Sequence, residues 1–433
     1  MFVNSGTGNL LYAHEGDQSL PLGSGNNTAN PSAERSLMRR SSDDESSDEH
    51  SEDESSNEHS DEEFDAADVA FRCSYASFKP EQKWRLPSGR TVEDVLHGAY
   101  NPKGPSSVST SIRSWVLDLS NPKIQALFVQ EEWNAIKAEV PPLPDIDPLF
   151  ANSFTRFAGI QTIEQLRHVV ETTSYMDGGI KYHYDLEWVD SLVRRYLILL
   201  EQQTLTVPER SERWYDTMIW APILDMCYIS IPNVILDRSE LICQSYMLRK
   251  NRNRTDVSSR VKCGPRLDGI LRDSQVRSHE FCAIESAPAQ PGGTISTKAL
   301  NDKAKLLKVQ RDMLNRQAIE ANHERRVVQK LQVFGISTAG LTMQVSRMFH
   351  PKGYVSLLMV HEPHTIPHDV RQLPQFLVLL AAVVRTKLAI ERSIEVFRSR
   401  SSTNDVQSLL EAIRTAGDHC NSDMTLPPIA DSP

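Results

Sequence analysis

The chain has 433 residues, a formal net charge of −10 and 39% hydrophobic residues, a composition that predicts a sizeable core and two or three domains. Its longest apolar run, Phe376 to Val384, is about half of a membrane span, and no N-terminal stretch has the pattern of a signal peptide. The six cysteines include no C-x-x-C pair, which argues against a zinc ribbon and a disulfide framework. We therefore expect an intracellular protein without a membrane partner.

The charge is concentrated near the N-terminus. Between Ser41 and Asp65 there are 13 acidic residues and no Lys or Arg, which leaves 47 basic against 44 acidic residues in the rest of the chain. Such a segment cannot bury enough apolar surface to offset the entropy of ordering, so residues 1–70 are predicted to be a disordered acidic tail. The tail can act as a solubilising segment, compete with nucleic acid for a basic surface, or recruit protein partners.

The first ordered part, residues 71–175, is predicted to be mainly helical. Thr91 is placed to cap a short helix that begins at Val92, and residues 111–120 (SIRSWVLDLS) are expected to be an extended pairing segment. A proline-rich break from Val140 to Phe150 then separates this region from the next helices.

Residues 176–398 carry the predicted α/β core. Two helices are expected first, the second of which starts near Glu209 and bends at Pro222. Short apolar strands at Arg266–Leu271 and Phe281–Ser286 are separated by a polar connection, as in a hairpin. A helix, three more strands and a closing helix follow, so the sequence predicts a central mixed sheet flanked by helices. Residues 399–433 are predicted to be a flexible C-terminal tail.

Two acidic residues of the strand pair make a candidate metal site. If Asp268 faces the same way as Glu285 on the neighbouring strand, two carboxylates converge there, and such hard oxygen ligands suit Mg²⁺ or Mn²⁺. By strict alternation, Glu280 is expected on the opposite face from Glu285. In the alternative interpretation, the two acids only cap strand ends or pair with Arg266 and Lys305.

The same order of residues resembles the PD-(D/E)XK nuclease superfamily, whose core runs Asp, a spacer and then Glu-x-Lys. The resemblance implies a restriction-endonuclease-like core in which Asp268 and Glu285 bind the metal, with Glu212 as a further helical acid. Ala287 stands where the lysine of Glu-x-Lys is expected. Some divergent members are thought to supply that lysine from the following helix, which implies Lys305 first and Lys298 second as catalytic residues.

A second resemblance covers roughly residues 80–395. The chain is similar there to a group of uncharacterised fungal proteins. The stretches that carry this similarity are WRLPSGRTVEDVL, FVQEEWNAI, RKNRNR, RLDGILRD, EFCAIESA and TKALNDKAKLLKVQRDML. It implies one common architecture and a nuclear or cytoplasmic location, with no particular activity.

A basic run precedes the Asp268 strand and is a candidate nucleic-acid contact. It contains Arg249, Lys250, Arg252 and Arg254. These side chains can neutralise phosphates, and the same cluster is also typical of a nuclear import signal. Two functions therefore follow from the sequence: a metal-dependent phosphodiesterase on DNA or RNA, or a catalytically inactive descendant that serves as a binding or scaffold module.

Overall fold

The structure of the protein, a computed structural model, describes residues 58–399 except 105, 178, 180, 208–209, 253, 256–259 and 289–296. Side chains at 58–66 and 106–107 are also outside the description. The predicted acidic tail before residue 58 and the predicted C-terminal tail after residue 399 lie outside the described residues. The description therefore covers the predicted site residues and the strands around them.

Helices alternate irregularly with strands along the chain. The α-helices are α1 (Glu58–Ala76), α2 (Val92–Ala99), α3 (Ser106–Arg113), α4 (Pro122–Gln125), α5 (Gln130–Lys137), α6 (Pro148–Ser153), α7 (Ile163–Thr172), α8 (Tyr184–Glu201), α9 (Glu212–Tyr215), α10 (Ala221–Tyr228), α11 (Gln244–Lys250), α12 (Thr297–Glu320), α13 (Arg325–Val328) and α14 (Leu373–Ser399). A π-helix, Asp216–Trp220, joins α9 to α10. Short 3₁₀ helices lie at Pro80–Gln82, Phe154–Phe157, Thr204–Thr206 and Val370–Gln372.

The strands form one mixed open sheet. They are β1 (Val116–Asp118), β2 (Val234–Ile242), β3 (Arg266–Asp273), β4 (Glu280–Ala287), β5 (Gln332–Ala339), β6 (Thr342–Lys352), β7 (Val355–Val360) and β8 (His364–Thr365). Their order is β1-β7-β6-β5-β4-β3-β2, with β8 beside β6. The pairs β4–β5 and β1–β7 are parallel and the remaining pairs are antiparallel, so the predicted mixed α/β class with a central sheet flanked by helices is confirmed.

The predicted hairpin lies within this sheet, between β2 and β5. Strands β3 and β4 pair antiparallel, and α12 then carries the chain across to β5, which lies parallel to β4. Every residue of β4 is buried, because helices cover the sheet on both sides. α12 packs against β4 and β5, and α14 also packs against these two strands.

The N-terminal region contributes to the same sheet. Strand β1 pairs with β7, and the extended segment predicted at 111–120 is partly helical because α3 ends only at Arg113. Helix α1 spans the predicted boundary at residue 70, since Phe71 packs in an aromatic cluster with Trp115, at a centroid distance of 4.6 Å. Thr91 caps α2 by accepting a hydrogen bond from the backbone of Asp94, as predicted.

The closing helix, α14, is long and apolar. The stretch Val370–Ser399 is long and apolar enough to cross a membrane by length and composition, and 61% of its most apolar window is buried inside the protein. A mostly buried helix of this kind is typical of a protein core. Within α14, Leu379, Leu380 and Ile390 are fully buried in the main hydrophobic cluster.

Candidate metal and nucleic-acid site

Asp268 and Glu285 lie on adjacent strands and face the same side of the sheet. Gly269 of β3 pairs with Ile284 of β4, so the next residues along each strand, Asp268 and Glu285, stand opposite one another. Directly opposite residues on antiparallel strands have Cβ atoms about 4.5–5.5 Å apart. The Asp268 carboxylate also accepts a hydrogen bond from the backbone N–H of Ser286 at 2.7 Å. The convergence of two carboxylates that the sequence predicts is therefore present.

A β-bulge changes the predicted face of Glu280. The register of β4 passes from Cys282 to Glu280 and leaves Phe281 unpaired, which shifts the alternation by one residue. Glu280 thus lies on the same face as Glu285, and the prediction of opposite faces is wrong. The Glu280 carboxylate accepts hydrogen bonds from the backbone N–H and hydroxyl of Ser245, so it anchors the start of α11.

Lys305 of α12 reaches directly to Glu285. Its Nζ lies 2.7 Å from Glu285 Oε2, 3.6 Å from Asp302 Oδ1 and 3.0 Å from the carbonyl oxygen of Arg266. Glu285 is only 2% exposed, and its Oε1 is buried without a hydrogen-bond partner among the described residues. One oxygen of this carboxyl group thus lies beside the ammonium of Lys305, and the other is buried without a partner among the described residues.

The electrostatic environment holds a proton on Glu285. Burial raises the pKa of its carboxyl group from 4.5 to about 8, the negative charges of Asp268 and Asp302 raise it further, and Lys305 opposes the shift. Burial likewise raises the pKa of Asp302, whose Oδ2 is buried and unpartnered among the described residues. The sequence analysis missed Asp302, although its position three residues before Lys305 places both on one face of the helix.

Lys298 and Glu212 form a separate ion pair at the edge of the site. Lys298 donates hydrogen bonds to a Glu212 carboxylate oxygen and to the carbonyl oxygen of Ser286, the latter at 2.9 Å. Burial disfavours the charged ammonium of Lys298, but its hydrogen bond to Glu212 raises its pKa overall. Among the described residues, no group of three or more His, Cys, Asp or Glu side chains is arranged to hold an ion. Glu212 therefore neutralises Lys298 and does not complete a three-acid cluster.

A further acid, Asp216, is near enough to Asp268 for their charges to interact. It is the first residue of the π-helix, and it accepts a hydrogen bond from Arg238 at 3.0 Å. Burial raises its pKa, Arg238 opposes this shift, and the charges of Asp225 and Asp268 add to it. π-helical turns occur frequently at functional sites. No pattern in the sequence predicted this turn beyond the bend expected at Pro222.

The basic run is divided between a structural and an exposed part. Arg249 lies 2.6 Å from Asp312, whose side chain is fully buried, so this arginine joins α11 to α12. Arg252 and Arg254 are exposed. Tyr246 of the same helix lines, with Lys305 and Lys308, a cleft of 310 Å³. The exposed arginines thus follow a helix that borders the cleft at Lys305.

The oxygen ligands present fit a hard divalent ion held by two side chains. Glu285 offers its unpartnered buried Oε1, and Asp268 keeps one oxygen that is not bonded to Ser286. Mg²⁺ is commonly bound by only one or two carboxylates together with waters and substrate phosphates. A comparison of the chain with known protein families, curated proteins and solved structures finds no match.

Proposed function

We propose that the protein is a metal-dependent phosphodiesterase that acts on nucleic acid, with a divergent PD-(D/E)XK-like core. The observation that carries this proposal is the facing pair Asp268 and Glu285, with the ammonium of Lys305 2.7 Å from Glu285 Oε2. A carboxylate pair with a lysine beside it combines a site for a divalent ion with a positive charge for the developing negative charge of a phosphoryl group.

The order of the elements supports the same proposal. A helix with Glu212 precedes the β3–β4 hairpin, and a lysine-bearing helix follows it, in the order that the nuclease resemblance implies. Ala287 leaves the strand without the expected lysine, and Lys305 reaches Glu285 from α12. The restriction-endonuclease-like fold, and a relationship to the similar fungal proteins, belong to this proposal.

The side chains of the site have separate roles in holding the ion, releasing a proton and stabilising negative charge. A bound Mg²⁺ or Mn²⁺ supplies Lewis acidity and lowers the pKa of water bound to it. Asp268 and Glu285 would hold the ion, and Glu285 must first release its proton because its pKa is about 8. Lys305 favours the ionised form of Glu285, and it would stabilise negative charge on a phosphoryl oxygen. Glu212 holds Lys298 at the edge of the site.

The nucleic-acid part of the proposal rests on charge and position. Arg252 and Arg254 are exposed beyond α11, whose Tyr246 borders the cleft at Lys305. Exposed arginines beside a metal site suit the phosphates of a nucleic-acid backbone. The same basic run supports a location in the nucleus rather than the cytoplasm, and the acidic tail is then a candidate for contacts with basic protein partners.

A catalytically inactive binding or scaffold protein is the second candidate function. Two observations favour it: the amine of Lys305 already neutralises Glu285, and the described acids form no three-ligand group for an ion. In that case the same cleft binds a partner without cleaving it, and the acidic tail regulates access.

A cleavage assay separates the two functions. Single- and double-stranded DNA and RNA are incubated with Mg²⁺ or Mn²⁺ and the wild type, Asp268→Asn or Glu285→Gln. A matched control is Glu240→Gln, because the side chain of Glu240 on β2 is 67% exposed. The enzyme function predicts cleavage by the wild type and the control, with a loss of at least about a hundred-fold in both site variants. Equal product from all four proteins, or none from the wild type, would reject it.

A further inference from the structure

A groove of 330 Å³ lies on the face of the sheet that carries Glu285, between α12 and strands β5 to β7. Its nearest wall is Ser337, which pairs with Glu285 in the parallel register of β4 and β5. Neighbouring strands are about 4.8 Å apart, so the groove begins one strand away from the candidate metal site. Gln344 of β6, the next residue in the same row, also lines the groove.

The groove combines aliphatic walls with hydrogen-bonding groups. Leu307, Leu358 and Val360 supply apolar surface, and Leu300 lines the groove while 54% of its area is exposed. An exposed leucine of this kind offers an apolar surface to a flat ring.

Gln344 gives the groove a hydrogen-bonding group. It donates from its amide nitrogen to the carbonyl oxygen of His361, so its amide oxygen is an acceptor. The ring of His361 points to the opposite face of the sheet, where its Nε2 accepts a hydrogen bond from Arg347 at 2.9 Å. The groove thus presents an acceptor beside apolar walls.

We infer that this groove binds one unpaired nucleobase of a single-stranded nucleic acid whose adjoining phosphate lies at Asp268 and Glu285. Enzymes that take a base out of the stack enclose it between apolar or aromatic side chains and hydrogen-bond its polar edge, which is the chemistry of this groove. The exposed Lys303 lines the groove as well and suits a neighbouring phosphate. This inference rests on the proposed function and narrows its substrate to single-stranded segments.

Abasic scanning of a bound single strand tests the inference without requiring cleavage. A set of short fluorescent strands, each with one base removed at a different position, is titrated with the full chain in Ca²⁺ and followed by anisotropy. The wild type is compared with Val360→Trp, which fills the groove, and Gln344→Leu, which removes a polar contact. Val378→Trp is the control, because Val378 lies on α14 and is 56% exposed.

At one position of the strand, removal of the base is expected to weaken binding more than at any other position. Its removal should weaken binding to the wild type and to the control by roughly ten-fold, as the loss of one stacked base does, and should have little effect on Val360→Trp. Gln344→Leu should show a smaller loss at the same position. Equal effects at every position, an unchanged profile in Val360→Trp, or no binding at all would overturn the inference. With either of the first two results, the proposed function would still be supported if the wild type showed metal-dependent cleavage and Glu285→Gln did not.

Discussion

Replacement of Glu285 by glutamine should change how the stability of the protein depends on pH. The pKa of this buried carboxyl group is raised from 4.5 to about 8, so the folded protein keeps a proton that the unfolded chain releases. The stability that this proton provides is fully present below about pH 4.5 and is lost as the pH rises to about 8. Glu285→Gln removes this titration and keeps a neutral side chain of the same size.

The expected change in the free energy of unfolding follows from the pH range between the two pKa values. Each pH unit over which only the folded state holds the proton changes the free energy of unfolding by about 1.4 kcal/mol. Between pH 4.5 and about 8 the wild type should therefore lose about 5 kcal/mol relative to Glu285→Gln. Other titrating acids are common to both proteins and cancel in the comparison.

Urea unfolding followed by tryptophan fluorescence near pH 5 and near pH 9 measures this difference. The variant should gain stability relative to the wild type by several kcal/mol between the two conditions. Parallel stability curves for the two proteins would refute the reasoning, because they would show that Glu285 is ionised in the folded state at neutral pH.

Three other substitutions test separate parts of the account. Lys305→Met should lower cleavage by about a hundred-fold or more while Mn²⁺ still binds, because the ammonium acts on the phosphoryl charge and not on the ion. Arg249→Gln should destabilise the protein by about 3 kcal/mol in urea unfolding, since it removes an ion pair of the buried Asp312. Gly335→Ala should lower the urea midpoint by an amount equivalent to about 1–3 kcal/mol, because its Cβ would lie 2.6 Å from Ser346 Oγ.

Matched controls make these results specific. Lys137→Met removes an exposed lysine of α5, and Arg252→Gln removes an exposed arginine of the basic run. Neither should change the stability by more than about 0.5 kcal/mol. If Lys137→Met and Lys305→Met reduce cleavage equally, the assigned role of Lys305 is wrong. If Arg249→Gln is as stable as Arg252→Gln, the arginine has no structural role.

The main strand pair was predictable because its signals are local. Apolar runs of strand length on either side of a polar connection define the β3–β4 hairpin, and β5, β6 and β7 follow where LQVFGISTAG, LTMQVSRMF and YVSLLMVHEP predict strands. The sequence left open whether Asp268 and Glu285 share a face, and the register of β3 and β4 shows that they do. The site could be found from sequence because both acids lie in regular stretches close to a hairpin.

Features that depend on distant contacts were not predictable in the same way. The unpaired Phe281 shifts Glu280 to the face of Glu285, and a bulge of this kind depends on how neighbouring strands pair. Arg249 belongs to a basic run in the sequence, but its partner Asp312 lies far along the chain. Asp302 joins the site only because α12 packs over β4. Each of these depends on tertiary packing, which the local pattern does not contain.

Titration of Mn²⁺ into the protein, with the free ion measured by electron paramagnetic resonance, tests the central claim most directly. We expect one ion per chain in the wild type above about pH 8, where Glu285 is ionised. Asp268→Asn and Glu285→Gln should each weaken this binding by at least about ten-fold, while Lys305→Met should retain it. Unchanged Mn²⁺ binding in both acid variants, or no binding to the wild type, would contradict a metal site between these two strands.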